Sequence, residues 1–139
     1  MNGLIMSEQF QLKIPSNLEE IAKVENMLES LKVQYAISDE LYANILLAAV
    51  EAVTNAIEHG NNLDIQKFVS IELVKTEATI QLKISDEGGG FNPYTLADPT
   101  SEEFLEKPGG RGVFLIQQLA DEVLFKKDGS AVEMVFILP

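Results

Sequence analysis

Two runs of alternating residues stand nearly back to back in mid-chain and restrict the fold more than any other feature. Val69, Ile71 and Leu73 alternate with polar residues, and after a turn near Thr76-Glu77 so do Ile80, Leu82 and Ile84. Successive side chains of a strand point to opposite faces, so each run has one face to bury and one to leave in water. Together they predict adjacent antiparallel strands. A second hairpin is predicted over residues 122–127 and 130–138, around the strong turn dipeptide Asp128-Gly129. Residues 9–14, Gln-Phe-Gln-Leu-Lys-Ile, alternate in the same way until Pro15 ends the run.

Elsewhere the apolar spacing lengthens to three or four. Ser16 followed by Glu19 has the form of a capping box, and Leu18, Ile21, Ala22, Leu28 and Leu31 recur at helical spacing after it. Ser38 is a second candidate N-cap, with Asp39 and Glu40 suited to the positive end of a helix dipole. The helix it starts is expected to run to about His59. Leu41, Ile45, Ala48, Ala49, Ala52 and Ala56 form its apolar face, and Gly60-Asn61-Asn62 stops it. Val113 to Ala120 reads as a third helix. Residues 86–108 lose periodicity and carry three of the five prolines, which suggests a lid or binding loop. The order β-α-α-β-β-loop-α-β-β predicts an α+β sandwich, with helices covering one face of a mixed or antiparallel sheet. At 139 residues the chain is expected to form a single domain, 1–139.

Composition narrows the chemistry. Ten Lys and Arg against 22 Asp and Glu give a formal net charge of −12. That disfavours direct nucleic-acid binding, which needs cations to neutralise phosphates. No run of 18 apolar residues and no signal-like N-terminus is present, so a cytoplasmic protein without a membrane segment is expected. There is no cysteine, which excludes disulfides, thiolate catalysis and Cys-based zinc sites. His59 is the lone histidine, which makes a Ser-His-Asp triad or a His-rich metal site a poor fit.

Three blocks could carry chemistry. The first is Glu51-Ala-Val-Thr-Asn55-Ala-Ile-Glu58-His59-Gly60. At about 100° per residue, Glu51, Asn55, Glu58 and His59 share one side of the second helix, next to its alanine-rich face. Taken alone, such a stripe is also the pattern of a solvated helix face. Its functional reading is a carboxylate that orients a hydroxyl and an amide oxygen that helps to hold Mg²⁺. The second block is Asp86-Glu87-Gly88-Gly89-Gly90-Phe91, directly after a strand. It reads either as a flexible turn or as a close backbone approach to a ligand, with Asp86 able to accept from an exocyclic amine. The third is Gly109-Gly110-Arg111-Gly112-Val113, opening the third helix and holding the only arginine of the chain. Glycines ahead of a helix leave N–H groups for an anion, although an exposed glycine-rich loop has the same look. No Gly-Lys-Ser/Thr follows, so it is not a P-loop.

As an ordered set, Glu51…Asn55, Asp86-x-Gly88-x-Gly90 and Gly110-x-Gly112 resemble the N, G1 and G2 boxes of the GHKL ATPase/kinase superfamily. Within it, Glu-Ala-Val-Thr-Asn-Ala-Ile-Glu-His-Gly and Gly-Arg-Gly-Val-Phe-Leu-Ile are most similar to the bacterial anti-sigma factor serine/threonine-protein kinases. The resemblance covers roughly residues 38–138. It implies a Bergerat fold, a two-layer sandwich whose lid, approximately residues 91–108, closes over ATP. It implies that Asn55 ligates Mg²⁺, that Asp86 reads the adenine amine, and that Gly88 and Gly90 let base and lid close. Gly110, Arg111, Gly112 and Val113 would surround the phosphates. Ser130 would take the strand position where many relatives carry a nucleotide-side threonine. Glu51 would be the catalytic base or orienter for a serine of a partner protein.

The function so implied is an anti-sigma factor that sequesters a sigma factor and phosphorylates an anti-anti-sigma antagonist on serine, with a homodimer as the expected assembly. The alternatives are a non-catalytic ATP-dependent module that switches partners and the catalytic domain of a histidine kinase. The latter is disfavoured because no phosphoacceptor helical hairpin precedes the domain.

Overall fold

The computed structural model describes residues 7–88, 110–126 and 130–139, with only the backbone described for 110–112. The chain runs through β1 (Glu8–Pro15), a 3₁₀ turn (Leu18–Glu20), α1 (Ile21–Gln34), α2 (Asp39–Asn55) and a π-helical turn (Ala56–Gly60). It continues through β2 (Phe68–Lys75), β3 (Thr79–Ser85), α3 (Gly110–Leu119), β4 (Glu122–Phe125) and β5 (Ala131–Ile137). The five strands form one sheet in the order β1-β2-β3-β5-β4.

Register follows directly from the alternation. Ile71 stands opposite both Leu12 and Ile84, Leu73 opposite Phe10 and Leu82, and Ile84 opposite Val132. A one-residue slip in any pair would turn a whole apolar set to water. The opposite face carries the row Gln11, Glu72, Lys83, Glu133 and Leu124. The helices pack on the apolar face only. Val24, Leu28 and Leu31 of α1, Ile45, Ala48, Ala49, Ala52 and Val53 of α2, and Val113 and Ile116 of α3 join the same buried cluster. Each large side chain buried there stabilises the fold by roughly 1.5–3 kcal/mol. This is the expected α+β two-layer sandwich, and all four strand pairings are antiparallel, so the sheet is not mixed.

The helix starts differ from expectation in an informative way. Ser38 caps α2 as anticipated, its hydroxyl accepting from the Leu41 N–H at 3.2 Å. Ser16 does not close a capping box. Its hydroxyl is buried and donates to the Lys67 carbonyl at 2.7 Å, while Asn17 takes over as cap by accepting from the Glu19 N–H at 3.0 Å. The strand thus claims the serine. On α1 the inner face is Val24, Leu28 and Leu31, whereas Ala22 and Leu18 are exposed. Between Thr76 and Thr79 the Thr76 hydroxyl accepts from the Ala78 and Thr79 N–H groups, which builds the expected β2–β3 turn.

The long central helix does not stay α-helical to His59. After Asn55 the coil widens, and the Asn61 N–H reaches the Ala56 carbonyl at 2.8 Å, an i→i+5 bond. Single π turns of this kind recur at functional sites. The combined segment Asp39–Gly60 is long and apolar enough by composition to cross a membrane. Its alanine side is packed on the sheet, so the core accounts for that apolarity. The C-terminal hairpin lies where alternation put it, with β4 ending at Phe125. The Asp128-Gly129 turn and the lid assigned to 91–108 lie outside the described residues.

Candidate functional site

Small side chains let α2 sit close to its neighbours, above all α3, and that closeness builds the site. Ala48, Ala49, Ala52 and Ala56 are all buried. Asn55, on the same side of the helix, is drawn in with them and keeps only 9% of its surface. A buried amide needs partners, yet the Asn55 side chain has no hydrogen bond among the described residues. It faces a small cavity, about 20 Å³ of space open to a water-sized sphere within a recess of about 330 Å³ that includes open solvent.

The walls of that cavity come from segments far apart in sequence. Ala52, Asn55 and Ala56 form one side, Ile84 and Asp86 another. Val113 and Ile116 of α3 form a third, and Phe125 with Ser130, Ala131 and Val132 closes it. The lining is therefore apolar, with the polar groups of Asn55, Asp86 and Ser130 converging on it. An apolar lining with a few convergent polar groups is the usual make-up of a small-molecule site.

Asp86 sits where β3 has just ended. Its N–H donates to the Ser130 carbonyl at 2.9 Å, which carries the β3–β5 pairing one step further. Its Oδ1 accepts from the Gly88 N–H at 2.9 Å and folds the chain back on itself. Ser130 lies one residue before β5, not on the strand. Glu87 has a structural part: its carboxylate accepts from the Phe68 N–H at the start of β2.

Below these residues lies a hub that the sequence reading took only as a helix stop. Asn61 is fully buried. Its amide donates to the Ser16 hydroxyl at 2.8 Å and to the Phe68 carbonyl at 3.0 Å. Its carbonyl oxygen accepts from the Glu87 N–H at 2.8 Å. One side chain thus ties the end of β1, the start of β2 and the segment after β3. No local spacing announces such a role. The only hint in the sequence is an asparagine at the end of an apolar helix that tertiary contacts would bury.

Glu51 is one turn before Asn55 on the same side of α2 and is half-buried, outside the cavity lining. Glu58 and His59 are also half-buried, with His59 Nε2 3.9 Å from Glu58 Oε1. The third block opens α3 as expected, and the helix starts at Gly110, three residues before Val113. Gly110, Arg111 and Gly112 lie in its first turn, where the leading N–H groups have no partner within the helix. Val113, next in line, touches the cavity. Gly88 packs on Gly60 beside Asp86, and Gly90 lies outside the described residues.

Among the described residues, no group of three His, Cys, Asp or Glu side chains could hold a metal by itself. Mg²⁺ commonly takes one or two protein oxygens and fills its shell with phosphates and water. A buried amide on a cavity wall fits that second kind of site.

Residues 14–136 match the family of histidine kinase-like ATPase domains. The chain is 24% identical to the serine-protein kinase RsbW of Listeria monocytogenes serotype 4a, over 93% of this chain and 87% of that one. It is 28% identical to the RsbW of Staphylococcus aureus strain JH9, over 89% of this chain and 83% of its relative. Among solved structures, that of the RsbU and RsbW domains of a Mycobacterium tuberculosis protein superposes with a TM-score of 0.60 at 14% identity. The superposition covers 94% of this chain and 32% of that longer one, and it speaks to the fold.

Proposed function

Because the chain belongs to the histidine kinase-like ATPase domain family, we propose that it is an ATP-dependent serine/threonine-protein kinase acting as a cytoplasmic anti-sigma factor. It would hold a sigma factor, and release it when an anti-anti-sigma antagonist that it phosphorylates on serine changes state. The observation that carries the reading is the convergence of Asn55, Asp86, Val113 and Ser130 on one cavity. These are residues that the family's boxes would place around a nucleotide. The curated relatives named as serine-protein kinases support the choice of branch.

In this reading the adenine enters the apolar cavity, and the Asp86 carboxylate accepts from its exocyclic amine. Guanine presents a carbonyl oxygen at that place, which a carboxylate repels. The amide oxygen of Asn55 would hold Mg²⁺, which when bound offsets the charge of the phosphates. The first-turn N–H groups of α3 and the Arg111 guanidinium would take phosphate oxygens. On a protein of charge −12 these few positive groups matter more than usual. Gly88 and Gly90 would let the lid, residues 91–108, close over the bound nucleotide.

Glu51 stands one helical turn from Asn55, so it can face an acceptor brought to the phosphate end. Its carboxylate would orient the serine hydroxyl and take its proton as the oxygen attacks. Phosphoryl transfer needs mainly such positioning and charge neutralisation.

The test is phosphorylation of the antagonist encoded nearest this gene, with Mg²⁺ and ATP, read as phosphoserine by mass spectrometry. Glu51→Gln keeps size and hydrogen bonding but removes the charge. It should slow transfer by about 10²–10⁴-fold while nucleotide affinity holds. A wild-type rate in the mutant would return Glu51 to the solvated helix face.

A further inference from the structure

We infer that Gly60 is a positioning residue for Asp86: it is glycine so that the Asp86 carboxylate can lie directly against its Cα. The functional consequence rests on the nucleotide reading above, whereas the contact does not. Gly60 ends the π turn, and its backbone is not in the left-handed conformation that favours glycine. Conformation therefore does not explain the residue. Space does. A Cβ on Gly60 would stand 2.2 Å from Asp86 Oδ2, 2.4 Å from Cγ and 2.8 Å from Oδ1, all below the 3.0 Å that real Cβ contacts respect.

The neighbouring contacts make this a designed fit of two segments. A Cβ on Gly88 would come within 1.5 Å of the Gly60 carbonyl oxygen. Between the two, the Glu87 N–H donates to Asn61 Oδ1 at 2.8 Å. Residues 86, 87 and 88 thus engage residues 60 and 61 one after another. Asn61 is itself held from behind by Ser16 and the Phe68 carbonyl. The Gly60 peptide is the surface on which the carboxylate rests, and the hub under Asn61 keeps that surface in place.

The two glycines are crowded by different kinds of atom. At Gly88 the obstacle is backbone, so a side chain there must move the fold. At Gly60 it is the end of a side chain, which can swing away while the fold stands. Gly60→Ala should therefore turn the Asp86 carboxylate from the cavity without unfolding the protein. The reader of the base would be misaimed, and the preference for adenine would go with it.

The experiment measures Mg·ATP and Mg·GTP affinities for the wild type, Gly60→Ala, Asp86→Ala and the double variant. Gly60→Ala should lose ATP affinity by about ten- to a hundredfold, the range for a hydrogen bond to a charged group, with GTP affinity held or raised as the repelling carboxylate leaves. Asp86→Ala should lose a similar amount, and the double variant no more than either. A wild-type preference for ATP in Gly60→Ala, or losses that multiply in the double variant, would overturn the inference. If Asp86→Ala itself keeps the preference, the adenine reading fails and the contact is judged in the nucleotide-free protein. There the ¹³C signal of the Asp86 carboxyl should move in Gly60→Ala while those of Asp64 and Asp121 stay; an unmoved Asp86 signal overturns the inference. Should Gly60→Ala not fold, adding Asp86→Ala removes the crowded atoms and should restore folding. Failure to restore it overturns the inference equally.

Discussion

Ser16 and Ser38 each stand just ahead of a helix with acidic residues close behind, and the structure uses them in opposite ways. Ser38 is exposed and solves a local problem, accepting from an N–H three residues on. Ser16 is buried and solves a distant one, bonding to Lys67 and Asn61, 51 and 45 residues away. The difference lies in what surrounds them. Ser38 is exposed at the start of α2, and the first-turn Leu41 N–H is the donor within its reach. The end of β1 is overlaid by the loop before β2 and by the turn after α2, where an unpaired carbonyl or amide would be costly. One region is held by neighbours in sequence, the other by neighbours in space, and the second is the region that underlies the cavity.

This contrast can be broken by mutation, and the hub should break hardest. Asn61→Ala would take the partner from the Glu87 N–H and the Phe68 carbonyl and the donor from the Ser16 oxygen, while Ser16 keeps its own bond to Lys67. The expected loss of stability is about 2–4 kcal/mol, read as a lower denaturant midpoint at unchanged slope. Removing the local cap should do less. Ser38→Ala forfeits one exposed helix cap, and about 1 kcal/mol is expected in the same assay. A Ser38 effect equal to that of Asn61 would erase the distinction between the two regions.

The smallest effect belongs to Asp39, beside that cap. Lys32 Nζ lies 2.8 Å from its Oδ1. The hydrogen bond and then the charge of Lys32 lower the Asp39 pKa from its ordinary value of 3.8. A lowered folded-state pKa stabilises the fold above the unfolded value and loses that contribution as the pH drops through the folded one. The carboxylate is almost wholly exposed, so solvent screens most of the pair. Asp39→Asn should therefore shift the unfolding midpoint at pH 7 by less than Ser38→Ala, and the shift should fade as the pH falls below 3.8.

The same contrast explains what could be read from the residues. Strands were legible because alternation is a property of consecutive positions: Val69, Ile71 and Leu73 announce their buried face without reference to any partner. The Ser38 cap was legible for the same reason. Asn55 and Asp86 were legible through their place in ordered motifs, and the structure brings both to one cavity. Ser16 was misread, and Asn61 was read only as a helix stop, because their partners lie in segments far away in sequence. A motif of four residues cannot show that a carbonyl 51 residues away will compete for its hydroxyl. The π turn escaped likewise, since the residues from Ala56 to Gly60 continue an acceptable helical pattern. The sheet's direction was ambiguous because alternation alone does not separate a mixed arrangement from an antiparallel one.

Everything functional depends on the cavity beneath α2 taking a metal-bound adenine nucleotide, and calorimetry on the wild type and Asn55→Ala, with and without Mg²⁺, examines that most directly. The wild type should bind one ATP per chain. Asn55→Ala should weaken Mg·ATP binding by about 1–3 kcal/mol and leave metal-free ATP nearly untouched, because the lost amide oxygen serves the ion. No binding by the wild type, or an equal loss with and without Mg²⁺, would contradict the account.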